Sequence, residues 1–297
     1  MAVLEIRGLC KSFGDKDVLC GLDLTVPEGS IFGFVGKNGA GKTTAMKAVL
    51  GLLKPERGEI FVCGERVSYG ESATNRHIGY LPDVPEFYSF MTAREYLTLC
   101  GEISGIRTSE IKSRCDELLS LVGLENETHR IKGYSRGMKQ RLGIAQALFG
   151  RPKLLICDEP TSALDPVGRK EILDIISAVR GETTVLFSTH ILSDVERIAT
   201  DIAFLNNGII EISGKLSEIK EKYRRDEYFV ELAADGAKLL SSSPSVRSLG
   251  DNRFAFSEGD CSPYEVMKFL SENKLPTVKF ERAEPSLEAL FMEVADK

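Results

Sequence analysis

Short apolar runs, separated by longer stretches with an apolar residue every three or four positions, dominate the first two-thirds of the chain. Ile31-Phe32-Gly33-Phe34-Val35, Leu154-Leu155-Ile156-Cys157 and Thr184-Val185-Leu186-Phe187 show no polar alternation. A strand without a polar face is covered on both sides, as in a mostly parallel sheet. Asp165-Pro166 supplies a capping carboxylate and a first-turn proline; Ile172, Leu173, Ile176 and Val179 then form one stripe, and Gly181 ends it. That spacing predicts a helix. Strands and helices alternating over about the first 215 residues predict an α/β layered domain.

Residues 85–150 differ, with helical patterns and almost no strand signal. Thr92-Ala93-Arg94-Glu95 has the form of a capping box. Ile111, Cys115, Leu118, Leu119 and Val122 repeat at helical spacing before Gly123. Another helix is predicted from Ser135 to Phe149, with Met138, Leu142, Ala145 and Leu148 on one side. These residues read as a helical subdomain inserted in the α/β core.

The composition shifts at Lys220–Glu227, a solvated linker or exposed helix end, which divides residues 1–220 from a small α+β extension at 221–297. Strands are expected at Tyr228–Leu232, Val246–Leu249, Arg253–Phe256 and Thr277–Glu281, with a hairpin turn at Gly250-Asp251-Asn252. Helices are expected at Gly236–Leu240, Pro263–Asn273 and Pro285–Val294. The order βαββαβ plus a final helix fits a ferredoxin-like module.

Composition narrows the function. The 297 residues hold 38 Lys+Arg against 44 Asp+Glu, a formal net charge of -6, and lack the basic excess of a nucleic-acid-binding surface. No run approaches the ~20 apolar residues of a membrane span. Met1-Ala2-Val3-Leu4-Glu5 shows no basic and apolar leader pattern. Seven cysteines without a C-x-x-C pair read as buried, reduced thiols of a cytoplasmic protein, and three histidines lack metal-ligand spacing.

The chemistry lies where the apolar runs end. Gly36-Lys37-Asn38-Gly39-Ala40-Gly41-Lys42-Thr43 follows the Ile31–Val35 strand and precedes a helical stretch starting at Thr44. This is the phosphate-loop pattern in its strand–loop–helix context. Backbone N–H groups and the helix start face phosphate oxygens, Lys42 reaches the β- and γ-phosphates, and the Thr43 hydroxyl binds Mg²⁺. Asp158 and Glu159 end an apolar strand, where ligands of α/β proteins bind. Asp158 is a candidate for the Mg²⁺ shell and Glu159 for polarising the attacking water; capping of the turn at Thr161 is the plainer alternative. His190, after Ser188-Thr189, is placed to meet a γ-phosphate or to serve structure alone.

Tyr134-Ser135-Arg136-Gly137-Met138 precedes the acid pair and resembles the Leu-Ser-Gly-Gly-Gln signature of ABC transporter nucleotide-binding subunits. Over residues 3–215 the chain resembles that family, which implies a P-loop NTPase ABC cassette binding ATP with Mg²⁺. Ser135, keeping the serine, and Gly137, keeping the second glycine, would then serve ATP bound to a second ATP-binding subunit, in a homodimer or heterodimer. Phe13 matches the aromatic that stacks on adenine, with a core phenylalanine as the rival reading. Asp165 ends the loop that communicates across the dimer, and His190 matches the switch histidine. Asp83 stands where the family usually has glutamine. A carboxylate reaches Mg²⁺ through water but cannot donate a hydrogen bond as an amide can.

The Leu-Pro-Asp segment, the altered signature and the tail Glu284–Phe291 resemble the drug-, antibiotic- and ion-export branch. The resemblance implies an ATPase at the inner membrane face, held there by a separate integral membrane permease. Val84–Tyr88 is a candidate contact for that permease. A soluble ABC ATPase acting on ribosomes or DNA is the alternative. A GTPase lacks support, since no Asn-Lys-x-Asp motif is present.

Overall fold

A computed structural model describes residues 2–71, 73–223, 227–233, 246–282, 287, 288, 290 and 291. The chain divides into two units, Met1–Leu216 and Ser217–Lys297.

The first unit starts with β1 (Ala2–Phe13), β2 (Lys16–Pro27) and β3 (Ile31–Val35), followed by α1 (Lys42–Val49). β4 (Arg57–Val62), β5 (Glu65–Arg66) and β6 (Ile78–Leu81) lead to three helices, α2 (Ala93–Ile103), α3 (Thr108–Leu121) and α4 (Arg136–Leu148). Then come β7 (Leu154–Cys157), α5 (Pro166–Ala178), β8 (Thr184–Thr189), α6 (Leu192–Ile198), β9 (Asp201–Asn206) and β10 (Ile209–Lys215). α7 (Leu216–Lys222) carries the chain into the second unit, which contains β11 (Glu227–Leu232), β12 (Arg247–Gly250), β13 (Arg253–Ser257), α8 (Pro263–Glu272) and β14 (Thr277–Arg282).

Six strands form the sheet β10-β9-β3-β8-β7-β6. Its members from β9 to β6 are parallel, and β10 adds an antiparallel edge. β3, β7 and β8 are buried at every position, as expected of strands covered on both faces. The helices follow their local signals. Asp165 caps α5 with Pro166 at its first position, Thr92 and Glu95 form a capping box for α2, and Ser135 caps α4.

The second sheet of this unit, antiparallel with order β2-β1-β4-β5, was not expected from the pattern of short runs. β1 and β2 are each 12 residues long, but register shifts at Ile6/Leu9, Leu9/Cys10 and Lys11/Ser12 interrupt the period of two. Its Leu4, Leu22, Leu24 and Ile60 share one core with Met46 and Val49 of α1 and with Phe32, Phe34 and Ile156 of the parallel sheet. That core presses α1, and the loop before it, against the carboxyl edge of β3.

The cysteines depart from expectation. All seven are free, yet only Cys115 and Cys157 are buried; Cys20 and Cys63 are exposed. Cys63 sits in the turn between β4 and β5 with φ +52°, and Cys20 points away from the core between buried Leu19 and Leu22.

In the second unit the sheet order is β12-β13-β11-β14, all antiparallel, over a core of Val230, Leu232, Phe254, Phe256, Val266 and Leu270. The β12–β13 hairpin turns at Asp251 and Asn252, both with positive φ, as a primed turn requires. The helix expected at Gly236–Leu240 lies outside the described residues, as does most of Pro285–Val294. Of Lys220–Glu227, Lys220–Lys222 close α7, Glu227 opens β11, and 224–226 lie outside the described residues. No helix among the described residues is long and apolar enough to cross a membrane.

Candidate active site

The phosphate loop leaves the buried end of β3, and its tight path requires glycine at two points. A Cβ on Gly36 would lie 2.7 Å from the Leu205 carbonyl oxygen. One on Gly41, which opens α1 with φ +110°, would lie 2.9 Å from both Leu19 Cδ2 and the Val18 carbonyl oxygen. Lys37, Asn38, Gly39 and Ala40 complete the loop, and the Ala40 N–H donates to the Lys37 carbonyl. Lys42 is buried; its Nζ donates to the Gly36 carbonyl at 2.6 Å and lies 3.0 Å from Glu159 Oε1.

Three parallel strands bring the remaining groups to one edge. β8 lies between β3 and β7, so Ser188 near its end stands between the phosphate loop and the acid pair. The Ser188 hydroxyl donates to Asp158 Oδ1 at 2.7 Å and accepts the Glu159 N–H at 2.9 Å. Thr43 Oγ1 donates to Asp158 Oδ2 at 2.7 Å, so both oxygens of this buried carboxylate are engaged. Glu159 is held in the left-handed region at φ +47°, a strain of order 1–3 kcal/mol that the surroundings must offset. Its Oε2 accepts from His190 Nδ1 at 2.9 Å, since a carboxylate has no proton to give. Glu159 Oε1 is buried beside Lys42 but accepts no aligned hydrogen bond among the described residues, so that contact is a charge pair.

Gly41, Lys42, Thr43, Glu159 and His190 open onto a cleft of about 430 Å³, lined also by Thr44, Asn38 and Gly39. Phe13 stands at its mouth, 51% exposed, with Lys11 Nζ 5.3 Å from the ring centroid. It is not a core residue. Asp83 reaches the cleft from the loop after β6. Its main-chain oxygen accepts from the buried Gln140 amide at 2.7 Å, and its Oδ1 lies 3.5 Å from the Arg136 guanidinium. Burial pushes the Asp83 carboxyl above the usual carboxylate range; Asp158 and Glu159 push the same way and Arg136 opposes them.

Ser135, Gly137 and Asp165, also predicted from the sequence, lie neither in the phosphate loop nor along this cleft. Ser135 is exposed at the start of α4, where its hydroxyl accepts the Met138 N–H at 3.2 Å; Gly137 follows, half-buried. Asp165 accepts the Gly168 N–H at 2.9 Å as the cap of α5. Conversely, sequence reasoning gave Ser188 no role, although a hydroxyl in the otherwise apolar run from Val185 signalled a buried polar partner.

Residues 19–162 match the ABC transporter family, and residues 214–295 match the C-terminal domain of ATP-binding proteins described as DrrA1-3-like. The chain is 37% identical to the uncharacterised ABC transporter ATP-binding protein YxlF of Bacillus subtilis, over 98% of this chain and 99% of that protein. It is 34% identical to the bacitracin transport ATP-binding protein BcrA of Bacillus licheniformis, over 98% and 97% respectively. Among solved structures, an ATP-binding subunit of an ABC transporter aligns with TM-score 0.66 and 32% identity, over 74% of this chain and 93% of that one. The chain belongs to the ABC transporter ATP-binding proteins. It is an ATPase subunit with the ABC cassette fold.

Proposed function

We propose that this chain hydrolyses Mg-ATP in the cleft above β3, β7 and β8 and thereby drives a separate membrane permease, in the direction of export. The observation that carries the reading is Glu159. One of its carboxylate oxygens is hydrogen-bonded to His190, while the other is buried beside Lys42 with no hydrogen-bond donor assigned to it. Because Glu159 also lines the cleft and is oriented by His190, its carboxylate is placed to take the proton of an attacking water.

Lys42 and the loop amides bind the β- and γ-phosphates, Phe13 offers a face for adenine, and His190 holds Glu159 in line. Thr43 and Asp158 supply two adjoining oxygen donors, a set that suits Mg²⁺, which keeps its other sites for water and phosphate. When bound, the ion would neutralise phosphate charge; Asp83, which lines the same cleft as Thr43, would act on it through water. Ser135 and Gly137, which do not line this chain's own cleft, serve ATP on a second copy or a paired ATP-binding subunit, with Asp165 at the same junction. ATP that binds the closed pair more tightly than the open one shifts the population toward closure, and hydrolysis reverses it.

The permease docks on the apolar surface of Val84, Tyr88, Phe90 and Ile103, each more than half exposed. This contact keeps the chain at the inner face of the membrane. Resemblance to the bacitracin transport protein supports export, and the strand order of the second unit supports a ferredoxin-like module.

Glu159→Gln tests the assignment. Turnover is expected to fall at least about 100-fold, the range of general-base catalysis, with ATP affinity unchanged within a few-fold. A variant that still hydrolyses ATP at the parental rate removes Glu159 from the mechanism.

A further inference from the structure

Asp194 is buried, charged and absent from the mechanism above. It lies in the first turn of α6, four residues after His190, with 4% of its side chain exposed. Both carboxylate oxygens are engaged. Oδ2 accepts the Thr161 hydroxyl at 2.6 Å, and Oδ1 accepts the Arg169 guanidinium at 2.6 Å. Thr161 is itself buried two residues after Glu159, and Arg169 lies on α5 one turn after its cap, Asp165. One carboxylate therefore ties together the segments that carry Glu159, Asp165 and His190.

The Thr161 bond falls at a particular point of the chain. Glu159 and Ala163 both hold positive φ, at +47° and +53°, and Thr161 lies midway between them. Neither residue type favours that region, so the loop keeps its shape only while its surroundings hold it. Ser188 anchors the loop at the Glu159 N–H, and Asp194 anchors it at Thr161. These two polar contacts come from opposite ends of the 188–194 segment, with His190 between them.

We propose that Asp194 is a positioning residue for hydrolysis: through Thr161 and Arg169 it locks the strained loop after Glu159 to the segment of His190, keeping the Glu159–His190 pair aimed into the cleft. The inference rests on Glu159 acting as the base. Among the described residues Asp194 has no hydrogen bond or ion pair to the phosphate loop or Lys42, so its loss acts on the chemical step and spares nucleotide binding. A carboxylate engaged on two sides by charge-assisted and hydroxyl donors fixes direction better than either bond alone.

The test uses the full chain and separates the hydroxyl from the shape of residue 161. Thr161→Val keeps the volume and removes the donor; Thr161→Ser keeps the donor. We expect Thr161→Val to lower kcat about tenfold or more, with KM and equilibrium ATP affinity within twofold. Thr161→Ser is expected to stay within threefold of the parent. Asp194→Asn should lower kcat at least as far as Thr161→Val, since it also weakens the Arg169 pair, and the double variant should lose no more than about twofold beyond Asp194→Asn alone. Should Asp194→Asn fail to fold, the Thr161 pair decides alone. Parental kcat in Thr161→Val, equal losses in Thr161→Val and Thr161→Ser, or an affinity loss matching the kcat loss would each overturn the proposal. Glu159→Gln run alongside keeps the two readings apart. If it abolishes turnover while Thr161→Val does not, only the positioning role fails; if it retains turnover, the role assigned to Glu159 fails first.

Discussion

The phosphate-loop cleft and the start of α4 are both polar sites at helix N-termini, and they are completed in different ways. In the cleft each group is tied to another strand's loop: Thr43 to Asp158, Asp158 and Glu159 to Ser188, Glu159 to His190 and Lys42. At α4, Ser135 makes a local capping bond three residues away and stays exposed. Asp83 joins the two regions, through Gln140 and Arg136 of α4. A site cross-linked by three parallel strands is rigid before any ligand arrives. A site on one helix takes its geometry from whatever meets it.

Lys42→Ala breaks the first region hardest. It removes the buried ammonium proposed to bind the γ-phosphate, and a charged hydrogen bond of about 1.5–3 kcal/mol corresponds to roughly 10–150-fold in affinity. Titration with a fluorescent ATP analogue should show that loss, with turnover at background. Unchanged affinity would place the nucleotide elsewhere. Ser188→Ala comes next. It leaves Asp158 Oδ1 and the Glu159 N–H without their partner in a buried place, at about 1–3 kcal/mol. We expect a melting temperature lower by roughly 2–6 °C, together with a turnover loss larger than the affinity loss. A variant as stable and as active as the parent would show that the acid pair holds itself in place.

The contrast also explains what the sequence disclosed. β3, β7 and β8 were legible because a strand buried on both faces is apolar throughout, and the phosphate loop because its chemistry occupies consecutive residues. β1 and β2 were not. Their bulges shift the inward face, so Leu9 pairs with Leu22 while the adjoining Cys10 pairs with Cys20. Ser188 and Asp194 were hidden for another reason. Their partners lie 25 to 33 residues away in sequence, so even where an apolar run marks Ser188 as buried, nothing local names the group it meets. Phe13 was ambiguous between core and cleft, and only its place at the turn end of the β1–β2 hairpin, paired with Lys16, settles that it is exposed.

The smallest effect sharpens the link between the regions. Asp83 has its carboxyl raised in the folded chain, by burial first and by Asp158 and Glu159 second. The folded state therefore binds that proton more tightly than the unfolded chain. Ionisation costs stability, fully above the folded pKa and not at all below the unfolded one. Asp83→Asn removes the cost, so the variant should melt slightly higher than the parent at pH 7, by about a degree or two, and the gap should close as pH falls toward 4. Arg136 opposes the shift from half-exposed surroundings, where such a pair contributes about 0.2–1 kcal/mol. Arg136→Gln should accordingly lower the melting temperature at pH 7 when Asp83 is present and change little beside Asp83→Asn. Melting curves of the four chains between pH 4 and pH 8 measure this coupling directly. If the two substitutions simply add at every pH, Asp83 and Arg136 do not sense each other, and α4 is joined to the cleft through the Gln140 hydrogen bond alone.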